Sequence, residues 1–277
     1  MFAFVFRNPA TAQNYVGFLK WACTHLRLPS LWFTPAVSET LKGAQKRYLR
    51  VEGGAKHAKA LLDERQMCQV VTLADSMGDV DFSVFCLICW EFLLRVQSEA
   101  LPLMAGSPSD ATSMSPGRHS GVWVDHSKHL CLRLAQRKNR PQGSLLRRPC
   151  ICVGAANPLC VVCRVRTVLA RHGPGHRLFN YTADRAVTTL RRMLTLLGVT
   201  NAQGYTLKAF RAGKATALAA SGKSLGHILA AGEWRSSAFL SYVDTDVVDQ
   251  AQLLDATLEA SGDERALAAK CSGRWEL

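Results

Sequence analysis

From Phe82 to Leu94 the chain is apolar at almost every position. That pattern predicts a helix over residues 80–95 that is buried on all sides, since an exposed helix would carry a polar stripe. A second helix is expected just before it, over 64–76. Nearer the start, Tyr15, Phe18, Leu19, Ala22 and Leu26 return at three- and four-residue spacing. This predicts an amphipathic helix over 11–27 with Thr11 as its N-cap. A further helix is expected over 36–51, with Lys42, Lys46, Arg47 and Arg50 along one face. Gly53-Gly54 breaks the pattern. The chain therefore divides into a small helical unit, 1–60, and a larger unit, 61–277.

Beyond a Gly/Ser/Pro-rich loop at 106–120 the periodicity changes from helical to alternating. GVWVDHS, KHLCLRLAQ and SLLRRPCICV read as three strands of a meander. Its tip, between the second and third strands, is cationic: Arg137-Lys138-Asn139-Arg140. Helical patterns resume over 164–173, over 182–198 with Thr182 as cap and Gly198 just past the end, over Ala212–Ala220, and over Val247–Ala260. The expected class is mainly α with a small antiparallel β-sheet, an α+β fold.

The net charge is +13, with 48% hydrophobic and 20% charged residues. That balance suits a folded chain with a polyanionic partner. No apolar run approaches the roughly 20 residues that span a bilayer, so no membrane association is expected. The opening MFAFVF lacks the basic flank of a signal peptide, and an intracellular protein with reduced thiols is expected. Cys150-x-Cys152 and Cys160-x-x-Cys163 can hold a tetrahedral zinc through four thiolates. The one-residue spacing of the first pair and the apolar neighbours favour packed free thiols instead. No metal or cofactor is therefore assigned.

Lys208 to Tyr242 carries the candidate chemistry. Lys208-x-x-Arg211 opens an Ala-rich helix that Gly222 ends, followed by Gly232-Glu233-Trp234 and then Tyr242. Two cations one helical turn apart can grip a phosphate, and a tyrosine from a separate segment can attack it. With Arg95 followed by Ser98-Glu99-Ala100-Leu101, and Lys138 at the hairpin tip, the ordered motifs over about residues 80–245 resemble the tyrosine recombinases, the phage-integrase family. The versions carried by eukaryotic retroelements are the most similar.

The resemblance implies the family's catalytic-domain fold over 61–277 and a short N-terminal helical unit similar to its core-binding domain. It implies a metal-independent, cofactor-free reaction on double-stranded DNA, carried out by dimers or tetramers, and a nuclear location if the host is eukaryotic. Tyr242 would attack a phosphodiester and form a 3′-phosphotyrosyl link. Arg95 and Arg211 would clamp the non-bridging oxygens, a kind of preorganised charge whose single loss costs about 3–4 kcal/mol elsewhere. Lys208 stands in the family's histidine slot, where it would take the nucleophile's proton or stabilise charge. Lys138 would protonate the leaving 5′-oxygen. The family's His/Trp slot falls on Glu233, and Trp234, one residue later, is the expected functional occupant. Glu99 and Glu233 would orient the basic groups. Arg137, Arg140, Arg147, Arg148, Lys42 and Lys46 would contact backbone phosphates.

Lys208, Glu233 and the short N-terminal unit fit an alternative as well, a DNA-binding relic that has lost strand exchange. A type IB topoisomerase-like enzyme shares the tyrosine chemistry, and the cysteine cluster alone suggests a zinc-stabilised nucleic-acid adaptor.

Overall fold

A computed structural model describes residues 9–28, 34–51, 60–106, 119–137, 140–153, 155, 157–234 and 242–243. The chain separates into two compact units, Met1–Lys59 and Ala60–Leu277. In the first, α1 (Pro9–His25) packs with α2 (Pro35–Val51). Thr11, the expected cap, lies inside α1, because proline with its fixed φ starts a helix readily and Pro9 does so here. Ala12 is buried, whereas Tyr15, Phe18 and Leu19 of the expected apolar face are exposed.

The second unit is built around α4 (Val80–Glu91), whose residues Phe82 to Trp90 are all buried. Helix α3 (Glu64–Ser76) packs on it, as do α5 (Val161–Leu169) and α7 (Lys208–Ala220). Helix α6 (Ala183–Leu196) lies against α3 and α8 (Leu225–Gly232) against α7. Phe85 is the hub of the aromatic core, with the Phe179, Phe82 and Phe210 rings 5.4, 5.9 and 6.2 Å away. Polar side chains fix where the helices begin. Asp63 and Gln66 form a reciprocal capping box on α3, and Asp79, Thr182 and Ser224 accept backbone N–H bonds at the starts of α4, α6 and α8.

Close approach of α7 to the rest of the core depends on one glycine. A Cβ at Gly213 would lie 1.9 Å from the Leu62 carbonyl oxygen and 2.7 Å from the Trp90 ring.

The sheet has four strands in the order β1 (Met104–Ala105), β2 (Gly121–Val124), β3 (His129–Leu134), β4 (Ser144–Pro149). The three predicted strands pair antiparallel, and helix α5 packs against β2 and β3. The two-residue β1 joins parallel to β2, so the sheet is mixed rather than purely antiparallel. The chain is thus a mixed α/β protein, mainly helical. The expected helix over 247–260 lies outside the described residues.

Candidate functional site

Two helices end in the same unusual way, and each ending delivers a residue to the site. After α4 the chain turns through Leu93 in the left-handed region (φ 48°), and the Leu94 N–H bonds back to the Cys89 carbonyl at 3.1 Å. After α8 Glu233 takes the left-handed position (φ 49°), and the Trp234 N–H bonds to the Leu229 carbonyl at 2.9 Å. Glycine is the usual occupant of such a position. Leu93 is held there by packing: it is fully buried in a small cluster with Ala215, Ala219, Ile228, Leu229, Trp234 and Val243. Tyr242 rests against the same cluster.

The predicted helix therefore stops at Glu91, and Arg95 lies four residues beyond its end. Arg95 and Glu99 meet through a wide, π-type turn over Val96–Ala100 instead of along a continued α-helix. Glu99 is buried and accepts four hydrogen bonds. Two come from Arg95, from its backbone N–H and from Nη1, both at 2.8 Å. The other two come from Arg137 Nε and Nη2, both at 3.1 Å, in a bidentate fork. Burial raises the Glu99 carboxyl, but the Arg137 bonds and charge and the Arg95 N–H outweigh it, and its pKa lies below the ordinary value.

Arg137 was expected to face DNA. It points inward instead, with 2% of its side chain exposed, and its Nη1 donates to Glu233 Oε2 at 2.6 Å. Burial lowers its pKa, and the two carboxylates more than restore it. Arg140 is half-buried, with Nε 3.6 Å from Glu233 Oε1. Glu233 is thus turned onto two guanidinium groups, which offset the repulsion its carboxylate would otherwise exert on a phosphate.

Arg211 stands at the centre. It is 2% exposed, and its Nη2 donates to the Gly232 carbonyl at 2.9 Å. Its guanidinium carbon lies 4.6 Å from the centre of the Trp234 ring and 5.3 Å from that of Tyr242. The two rings are themselves 5.7 Å apart. A Cβ at Gly232 would fall 2.0 Å from the Trp234 ring, so only glycine lets the indole fold back onto Arg211. Arg211 Nε and Nη1 are buried and have no hydrogen-bond partner among the described residues. Burial, then repulsion from Arg137 and Arg95, lowers its pKa to about 10. Among the described residues, four guanidinium groups (Arg95, Arg137, Arg140, Arg211) face two carboxylates (Glu99, Glu233), a surplus of two positive charges. A buried cluster with surplus positive charge and two donor atoms unpartnered among the described residues has the chemistry to take up an oxyanion.

The structure thus brings together Arg95, Glu99, Arg211, Glu233, Trp234 and Tyr242, with Arg137 and Arg140 beside them. Lys208 is exposed in the first turn of α7, and no ion pair or side-chain hydrogen bond ties it to the cluster among the described residues. Lys138 lies outside the described residues. On β4, Arg147 is exposed. Arg148 is half-buried over the Phe92 ring, 4.9 Å from its centre, and bonds to the Glu91 carbonyl at 3.1 Å. Arg148 is accordingly a packing residue in this state, not a free phosphate contact. Lys42 and Lys46 are exposed in the N-terminal unit, and Lys42 is paired with Glu39 at 2.9 Å.

Sequence reasoning missed the inward role of Arg137. The signal was present in the two acidic residues near the site, Glu99 and Glu233, which needed more cationic partners than Arg95 alone could supply.

No protein-family model matches the chain, and no curated protein matches its sequence.

Proposed function

We propose that the chain cuts and rejoins DNA strands as a tyrosine recombinase, encoded by a mobile element, with Tyr242 as nucleophile. The observation that carries this reading is Arg211: a buried cation with two donor atoms unpartnered among the described residues, stacked beside a tyrosine and crowded by Arg95 and Arg137. Buried donors without partners are uncommon in folded proteins, and here two of them sit beside a tyrosine in a cluster with surplus positive charge.

In this reading a scissile phosphate docks against Arg211 and Arg95. The Tyr242 oxygen attacks phosphorus and gives up its phenol proton, to solvent or to the Lys208 amine that the resemblance puts in the acceptor slot; a P–O bond to tyrosine forms, and the bond to the 5′-oxygen breaks. Negative charge growing on the non-bridging oxygens is met by the two guanidinium groups, which Glu99 and the Trp234 ring hold in place. The 5′-oxygen leaves with a proton, the step the resemblance gives to Lys138. A second 5′-hydroxyl reverses the sequence, and the phosphotyrosyl bond conserves the energy needed to reseal. The strand of one duplex can thereby be joined to another when copies of the chain assemble on two sites.

One observation favours a second reading, a DNA-binding relic. Lys208, the residue in the proton-acceptor slot, stands exposed, and among the described residues nothing ties its side chain to the cluster. The two readings separate on supercoiled plasmid and a pool of nicked duplexes, which require no knowledge of the target. Wild type is expected to relax the plasmid and to give a denaturation-resistant protein–DNA band, and Tyr242→Phe to bind without either. DNA binding by both proteins, with neither product, supports the relic.

A further inference from the structure

Four thiols converge away from the arginine cluster. Cys150 and Cys152 follow the end of β4, Cys160 caps α5, and Cys163 sits in the first turn of that helix. The Sγ atoms are 3.6 Å apart for Cys150 and Cys160, and 3.7 Å for both Cys150–Cys163 and Cys152–Cys163. All four lie within 4.8 Å of one another. A disulfide needs about 2.05 Å, so none of these contacts is one. A regular tetrahedron of sulfurs around an ion at about 2.3 Å has edges of about 3.8 Å, which the observed separations approach.

Packing of free thiols does not account for this. Cys86, Cys89 and Cys131 show what packed thiols look like here: each is buried in the core. Apolar packing has no reason to aim four sulfurs at one point, and three of the four residues are only partly buried. The intervening loop is also shaped to present them. The Asn157 N–H donates to Cys152 Sγ at 3.3 Å, the Asn157 carbonyl accepts the Cys160 N–H at 3.0 Å, and Asn157 Oδ1 accepts the Leu159 N–H at 2.8 Å. The positive end of α5 lies beside Cys160, the residue at its start.

We propose that Cys150, Cys152, Cys160 and Cys163 bind one Zn²⁺ ion in a closed tetrathiolate site. Four thiolates exclude Mg²⁺ and Ca²⁺, which require oxygen ligands. With four protein ligands no position is left open for substrate, so the ion is structural. Binding exchanges four S–H bonds for four Zn–S bonds, sends the thiol protons to solvent and involves no change of oxidation state. The ion ties the end of β4 to the start of α5 across the loop between Cys150 and Cys160. Because β4 is the return strand of the basic hairpin, the ion would fix the strand that carries Arg147 and Arg148 against the helical core. This site stands whether or not the chain acts on DNA.

The test is metal analysis and thiol protection on the full chain, purified under reducing conditions from zinc-supplemented medium. About one zinc per chain is expected, with these four thiols slow to alkylate until a strong chelator is added. Cys68→Ser should retain the zinc, and Cys152→Ser and Cys163→Ser should lose it. Cobalt substitution of the otherwise unaltered protein provides a check that does not depend on the folding of these variants. Co²⁺ is expected to give the visible bands of a tetrahedral sulfur site. Wild-type protein holding under about a tenth of a zinc per chain, with the four thiols reacting as fast as Cys68, overturns the proposal. So does iron in place of zinc.

Discussion

Replacing Arg211 by methionine separates a receptor from a structural residue. Methionine keeps the length of the stem and removes the charge. The displacement of the Arg211 pKa from 12.5 to about 10 corresponds to about 3 kcal/mol of unfavourable interaction borne by the charged form. Its removal should therefore stabilise the folded chain by up to that amount. Against this stand the bond to the Gly232 carbonyl, worth about 1.5 kcal/mol, and the contact with the Trp234 ring, worth about 2 kcal/mol when desolvated. The opposing contributions nearly cancel. Arg211→Met is therefore expected to change the unfolding free energy by clearly less than the roughly 3–5 kcal/mol that loss of one partner from a buried ion pair costs. Urea titration without DNA measures this directly. Inorganic phosphate provides a second arm: at ten times its Kd it should stabilise wild type by about 1.4 kcal/mol and leave the variant unchanged. A loss of 3 kcal/mol or more (about the cost of breaking a buried pair), with no phosphate effect on either protein, would refute the argument.

Other consequences follow from the same geometry. Glu99 has a lowered pKa, so its contribution is complete above the ordinary carboxylate value of about 4.3 and is lost as pH falls through the lower folded value. Urea midpoints measured from pH 6 down to 3 should fall more steeply for wild type than for Glu99→Gln, which should already be about 3–5 kcal/mol less stable at pH 7. Gly213→Ala drives a methyl into the Leu62 carbonyl and Trp90; a loss of at least about 1–3 kcal/mol is expected in thermal or urea unfolding. On DNA, Arg147→Ala should lower the slope of log affinity against log salt by about 1. Arg148→Ala should instead reduce stability, because Arg148 packs on Phe92 and bonds to the Glu91 carbonyl.

What could be read from the sequence was local. Thr182 and Gly198 bracket α6, as the capping signals predict, because a side-chain acceptor and a left-handed glycine act within one turn of the helix. The unbroken apolar run of α4 likewise announced a helix buried on every side. The end of α4 was not legible. Leu93 occupies a conformation that leucine rarely adopts, and only distant residues, Ala215 and Trp234 among them, hold it there. The wide turn over Val96–Ala100 that joins Arg95 to Glu99 was equally out of reach of helical spacing. Strand β1 spans two residues, too few for any alternation to register. Spacing placed Arg137 at a basic hairpin tip, where charge normally faces water. It turns inward because two carboxylates, the buried Glu99 and the partly buried Glu233, 38 and 96 residues away in sequence, pair with it there. The four cysteines show the converse: their neighbours suggested packing, and only the fold reveals that their sulfurs meet.

The most direct test of the central claim is to identify the atom that takes up DNA. Protein should be incubated with the nicked-duplex pool, denatured, trimmed with nuclease and digested, and the peptides sequenced by mass spectrometry. The account predicts a nucleotide remnant joined through its 3′-phosphate to Tyr242, absent from Tyr242→Phe and strongly reduced in Arg211→Met. A remnant on any other residue, or none from wild-type protein that binds the same DNA, contradicts it.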